Sequence, residues 1–221
     1  MDVRISPRRL SGVVTPPPSK SLAHRYVIAA ALAAGVSTIK NLTLSEDIQA
    51  TLQCMADFRW RWEWQDESTL KVWGCINRER DRRDLPRLDC GESGSTLRFL
   101  IPLALALEGG GVFTGRGRLM ERPQKPYFQI FDGQGVSRRL EDGVLTLEGN
   151  LWPGEYRLPG NVSSQFFTGL LMALPLLDGP SVVVSTTKLE SASYVSMTMG
   201  VLARCGVRVR YSPQLNGFGV T

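Results

Sequence analysis

Three short runs in this 221-residue chain carry side chains suited to gripping small anions: Ser19-Lys20-Ser21 with Arg25, Ser93-Gly94-Ser95 with Arg98, and Ser163-Ser164-Gln165. Each opens a mostly apolar segment of helical length that stops at glycine, and the serine starts lie 74 residues (19 to 93) and 70 residues (93 to 163) apart. A helix amino terminus offers unpaired N–H groups and partial positive charge. Three such ends, if they meet, make a polar, cationic floor for a multiply charged small molecule. Serine is also an ordinary N-cap, which by itself accounts for Ser19, Ser93 and Ser163. Capping does not account for the basic residues just inside two of the three helices, because positive charge opposes the dipole there.

What positions these runs is a repeated unit. After each glycine comes a β-branched run, from Val36, Gly111 and Ser181, then a second helical segment, from Ser45, Lys125 and Ser193. Two short strand-like runs close each copy, with Gly, Asp, Asn or Pro at the turns. The pattern predicts β-α-β-α-β-β three times, an α/β architecture packed around shared inner helices. Segments such as 99–107 and 166–177 are apolar nearly all round and should be buried, whereas the second helices read as amphipathic. Trp60, Trp62, Trp64 and Trp73 fall on adjacent strand runs and are expected as cross-strand pairs, not a ligand platform.

Composition narrows the function classes. The chain is 43% hydrophobic, enough for a substantial core, and no linker divides it. No apolar run reaches the ~18 to 20 residues of a membrane helix, and the start MDVRISPRRLSG has no hydrophobic signal core; a cytoplasmic protein with no membrane partner is expected. Cys54, Cys75, Cys90 and Cys205 show neither C-x-x-C nor Cys/His spacing, so they read as reduced thiols without disulfide or metal. The net charge of +5 is carried by 21 Arg against 5 Lys, and arginine's planar fork suits carboxylates and phosphates. The densest cluster, Arg78–Arg87, mixes three acidic residues with five Arg and reads as a solvated loop, not a nucleic-acid patch.

Five motifs in order, PPPSKSLAHRYVIAAALAAG, CGESGSTLRFLIPLAL, LMERPQKPY, GNVSSQFFTGLLMALPL and LESASYVSMTM, resemble the amino-terminal half of the 5-enolpyruvylshikimate-3-phosphate synthase family. The resemblance runs from about Val13 to the carboxyl end. It implies the three-unit domain read above, and a transfer of the enolpyruvyl group from phosphoenolpyruvate to the 5-hydroxyl of shikimate 3-phosphate through a tetrahedral adduct, with no cofactor. Carried over residue by residue, it implies that Lys20, Ser21, Arg25, Ser163, Ser164, Gln165, Ser191 and Tyr194 hold shikimate 3-phosphate. Lys20, Gly94, Arg122 and Gln165 would meet phosphoenolpyruvate, with Lys20 catalytic. Arg25, as a ligand group, is expected to be removable without harm to the fold. Arg98 is assigned a structural role, and His24, the only histidine, a polar surface or supporting one.

The chain departs from the family at Ser193, where proline is usual, and at Glu92-Ser93-Gly94 in place of Asn-Ala-Gly, which bears on the response to glyphosate. Family members are about twice as long and draw their acid/base carboxylates from the second half. Residues 1–12 are therefore expected to be a strand belonging to the other domain, and 13–221 the three-repeat domain carrying a half-site inactive alone, its partner the carboxyl-terminal domain. Two alternatives are a relative acting on a UDP-amino sugar, whose Lys-Asn start is absent here because Ser21 follows Lys20, and a basic nucleic-acid module.

Overall fold

The computed structural model describes residues 3–4, 6–9, 11–74, 84–212, 214 and 216–220. Its first unit holds α1 (Lys20–Leu32), β1 (Val36–Ile39), α2 (Glu46–Asp57), β2 (Arg61–Trp64) and β3 (Leu70–Trp73). The second holds β4 (Arg87–Asp89), α3 (Gly94–Glu108), β5 (Gly110–Thr114), α4 (Lys125–Gln134), β6 (Ser137–Glu141) and β7 (Val144–Glu148). The third holds β8 (Glu155–Leu158), α5 (Ser164–Ala173), β9 (Ser181–Ser185), α6 (Ala192–Arg204), β10 (Val209–Tyr211) and β11 (Gly217–Val220).

The sheets repeat one topology. In the second unit the order is β4-β5-β7-β6 and in the third β8-β9-β11-β10, with the first pair parallel and the others antiparallel. The first unit gives β1-β3-β2, the same order without the leading strand. That is a departure, among the described residues, from the expected six-element unit. Pro16, Pro17 and Pro18 stand directly before α1 and have no N–H to donate to a ladder. The described residues before α1 form no regular structure, and Val13 and Val14 are almost fully exposed.

The inner helices are buried as their composition requires. Eleven residues of α3 and nine of α5 are buried, against four each on α4 and α6. Gly169 of α5 lies against the Arg98 carbonyl and Tyr127, where a Cβ would collide with both, so α3 and α5 approach backbone to backbone there. Pro102 sits inside α3 and cannot donate to the Arg98 carbonyl four residues back. Tyr127 Oη donates to that freed carbonyl at 2.6 Å.

Tyr127 belongs to a ring with threefold regularity. Each outer helix supplies one hydroxyl that touches the inner helix of its own unit and that of the next. Thr51 on α2 bonds His24 Nδ1 (2.8 Å) and Thr96 (2.7 Å); Tyr127 on α4 bonds the Arg98 carbonyl and lies 3.1 Å from the Phe166 carbonyl; Thr198 on α6 bonds Thr168 (2.8 Å) and accepts from Arg25 Nε (2.8 Å). Buried hydroxyls are costly unless paired, so this ring specifies how the three inner helices are registered against one another.

Three of the four tryptophans singled out above pair across strands, though not with each other, while Trp60 lies before β2 and outside the strands, which corrects that part of the expectation. Trp62 faces Val72, Trp64 faces Leu70, and Trp73 faces Arg61, whose guanidinium lies 4.2 Å from the indole. Trp60 stacks on Phe58. Cys54, Cys90 and Cys205 are free thiols; Cys75 and most of the Arg78–Arg87 loop lie outside the described residues. Among the described residues no helix is long and apolar enough to cross a membrane.

Candidate functional site

Over the amino ends of the inner helices lies a cavity of about 310 Å³, lined by Ser21, Arg25, Ser95, Phe99, Ser163, Ser164, Gln165, Ser191 and Tyr194. All three units contribute. The three serines read as caps do cap: Ser19 Oγ accepts from Leu22 N–H, Ser93 from Thr96 and Ser163 from Gln165. Their neighbours are differently placed. Among the described residues the hydroxyls of Ser21, Ser164 and Ser191 make no hydrogen bond within the protein, although Ser191 itself stands at the α6 N-cap. The cavity thus presents uncommitted hydroxyls at helix ends that are electrically positive.

Arg25 supplies the buried cation. It is 2% exposed. Its Nε donates to Thr198 Oγ1 (2.8 Å), Nη1 to the Ser21 carbonyl (2.7 Å), and Nη2 to Thr168 Oγ1 (3.0 Å) and the Tyr194 carbonyl (3.3 Å). The guanidinium also lies over the rings of Phe99 and Tyr194, 5.1 and 5.9 Å from their centroids. Burial lowers its pKa to about 10, which leaves it charged at neutral pH. Four of its five N–H groups are spent on the protein. Arg25 is therefore a tie between α1, α5 and α6 as well as a cation under the cavity, which argues against the expectation that it is removable without harm to the fold.

A second cluster adjoins the first. Gly94 is the first residue of α3, and a Cβ built there would stand 2.8 Å from Arg122 Nη1 and 3.8 Å from Gln165 Oε1. The missing side chain lets the exposed Arg122 reach the helix end. Gln165 is held on both sides: Oε1 accepts from Arg98 Nη1 (2.7 Å) and Nε2 donates to Ser95 Oγ (2.9 Å). Lys20 is not among the lining residues. It is exposed and paired with Asp47 on α2.

His24 is buried, which corrects the surface alternative and leaves the supporting one; α1 turns it inward onto Thr51 and the edge of Phe99. Burial is the main cause that lowers its pKa to about 4, with Asp47 opposing, so it is neutral near pH 7. Sequence reasoning placed Ser95 in the second anion-gripping run without assigning it to either substrate, and gave Phe99 only a place in a buried helix. It also passed over Thr51, Thr96, Thr168 and Thr198, whose signal was a hydroxyl at a position the helix pattern turns toward the core.

Comparison with known proteins follows the same line. The family model described as EPSP synthase (3-phosphoshikimate 1-carboxyvinyltransferase) matches residues 5–221. The 3-phosphoshikimate 1-carboxyvinyltransferase of Clostridium novyi (strain NT) is 45% identical over 218 residues, covering 94% of this chain and 49% of the relative. That of Clostridioides difficile (strain 630) is 42% identical over 216 residues, with the same coverage of 94% and 49%. An EPSP synthase structure from Acinetobacter baumannii superposes with a TM-score of 0.76 at 22% identity, over 95% of this chain and 46% of that one. The likeness to that structure is one of fold, and the chain spans about half the length of the curated relatives it matches.

Proposed function

Because the chain belongs to the EPSP synthase family, we propose that it forms the shikimate 3-phosphate side of an enzyme that transfers the enolpyruvyl group of phosphoenolpyruvate to the 5-hydroxyl of shikimate 3-phosphate and releases phosphate. The observation that carries this reading is the cavity in which Ser21, Arg25, Ser163, Ser164, Gln165, Ser191 and Tyr194 meet. A phosphorylated, carboxylated ring matches its uncommitted hydroxyls, its helix ends and its buried cation. Phosphoenolpyruvate would lie next to it, on the Gly94 backbone, Arg122, Gln165 and Lys20. Lys20 leaves Asp47 to do so and serves as the catalytic cation between the two substrates.

In the reaction, the 5-hydroxyl oxygen bonds to C2 of phosphoenolpyruvate, that hydroxyl loses its proton and C3 gains one. Expulsion of phosphate from C2 and loss of a C3 proton then restore the double bond. This chain's part is to fix both anions and neutralise their charge. The proton-transfer groups and further cations come from a carboxyl-terminal domain that closes the cleft. In this reading residues 1–12 are a strand of that other domain and 13–221 the three-unit domain. The described residues before Pro18, which are exposed and form no regular structure, support that division. The assembled enzyme acts in the cytoplasm, in aromatic amino-acid synthesis, and is of the class that glyphosate targets.

The test is titration of the chain with shikimate 3-phosphate by calorimetry, beside a phosphate-release assay with both substrates. Saturable 1:1 binding without turnover is expected. No binding, or turnover without a second domain, would refute the half-site.

A further inference from the structure

Arg98 is used by neither the proposed chemistry nor the core, and its surroundings are unusual. It projects from the second turn of α3, half-buried, with its guanidinium carbon 4.7 Å from the centre of the Phe166 ring. One arm reaches across to α5, where Nη1 donates to Gln165 Oε1 at 2.7 Å. The other reaches the loop before α4, where Nη2 donates to the Pro123 carbonyl at 3.2 Å. Its Nε is buried and has no partner among the described residues. The residues at the two arm ends matter: Gln165 lines the cavity, and Pro123 follows Arg122, which packs over Gly94.

The chemistry of the Gln165 contact is one-sided. A guanidinium has N–H donors and no acceptor, so only the oxygen of the Gln165 amide can face it. A flip of that amide would set NH₂ against N–H. The nitrogen is thereby turned toward Ser95, to which it donates at 2.9 Å, and a primary amide nitrogen carries a second N–H beyond the one spent there. Neutral glutamine alone has no such preference, since its two amide orientations differ only in what surrounds them.

We propose that Arg98 is a positioning residue that locks the Gln165 amide with its donor side toward the cavity and pins the Pro123 carbonyl so that Arg122 stays over Gly94. One side chain on the second inner helix thus aligns a neutral donor on the third and a cation on the connecting loop, toward the same anionic ligand. Arg98 does not touch the ligand. The inference rests on the reading above that Gln165 and Arg122 bind anionic substrate.

The experiment uses the 221-residue chain with Arg98→Met, which keeps packing on Phe166 but has no donor, and Arg98→Lys, which keeps the charge but not the fork. Two readouts are taken: shikimate 3-phosphate affinity by calorimetry, and the Gln165 side-chain amide by nitrogen-15 NMR, its signals assigned by their loss in Gln165→Glu. In the wild type the amide pair should be resolved, protected from exchange and close to Ser95. Arg98→Met should abolish that signature and weaken affinity about tenfold, while Arg98→Lys restores either only in part. An unchanged amide signature with wild-type affinity in Arg98→Met overturns the proposal. If Arg98→Met loses its near-ultraviolet circular dichroism, Arg98→Lys decides, and a full wild-type signature there overturns it. Failure of the wild type to bind would instead sink the functional reading, with the amide signature still deciding whether Arg98 holds Gln165.

Discussion

Replacing Arg25 by alanine should damage the fold as well as the site, and the size of the damage follows from its bonds. The side chain makes four charge-assisted hydrogen bonds, to Thr198, Thr168 and the carbonyls of Ser21 and Tyr194. At about 1.5 to 3 kcal/mol each these sum to roughly 6 to 12 kcal/mol. Two facts reduce the net loss. Burial that lowers the guanidinium pKa from its ordinary value to about 10 opposes the charged form by on the order of 3 kcal/mol, a cost the variant no longer bears. Thr168 and Thr198 also keep their own bond at 2.8 Å, and Thr198 keeps its bond to the Tyr194 carbonyl at 3.0 Å, so the acceptors are not all orphaned. Of the roughly 3 to 9 kcal/mol that remains, the retained bonds place the net destabilisation at the lower end, about 3 to 4 kcal/mol, or roughly 6 to 16 °C in Tm for a chain of this size. Calorimetric melting of the 221-residue chain measures it, with shikimate 3-phosphate affinity measured well below the melting point. Arg25→Lys, keeping the charge without the fork, should fall between. A wild-type Tm in Arg25→Ala together with lost affinity would refute the reasoning, because it would make Arg25 a ligand group alone.

Gly94→Ala should leave Tm nearly unchanged, since Gly94 is helical without a left-handed φ. Its methyl group would displace Arg122, so in a two-domain enzyme the glyphosate inhibition constant should rise more than the Michaelis constant for phosphoenolpyruvate; equal losses would remove Gly94 from the site. His24 ionises near 6.5 when unfolded but only near 4 when folded, so the unfolded state binds more protons between those values and stability falls as pH drops through that window. His24→Asn should remove about 2 to 3 kcal/mol of the loss between pH 7 and 4.5 in denaturant titrations; an unchanged loss would mean His24 does not carry it. Thr198→Val, similar in shape, leaves the Arg25 Nε–H unpaired and should cost about 1 to 3 kcal/mol. A Tm equal to wild type would show that the hydroxyl ring does not bear on stability.

The fold was legible because its determinants are local and repeat. Apolar helices closing at glycine, β-branched runs after them and Ser19, Ser93 and Ser163 at the starts all read out within a turn or two of chain, and the caps and sheets formed as that pattern required. Among the described residues the first unit lacks the leading strand that the repeat predicted. Of the residues singled out from the sequence, Ser21, Arg25, Ser163, Ser164, Gln165, Ser191 and Tyr194 line one cavity, while Lys20, Gly94 and Arg122 are not in its lining.

What the sequence could not settle was which polar groups are free. Arg25 and Lys20 both looked like cations offered to a ligand, yet Arg25 spends its fork on residues 143 and 173 positions away and Lys20 turns to Asp47. His24 read as a polar group at the surface or in a supporting place, and lies buried on Thr51, which in turn bonds Thr96 of the second unit. The Gln165 amide has a direction only because Arg98 arrives from another helix. Residue type and spacing determine what a side chain is able to donate or accept. A hydrogen bond is made over about 3 Å, and only the packing of distant segments decides whether a partner within that reach has already taken the group.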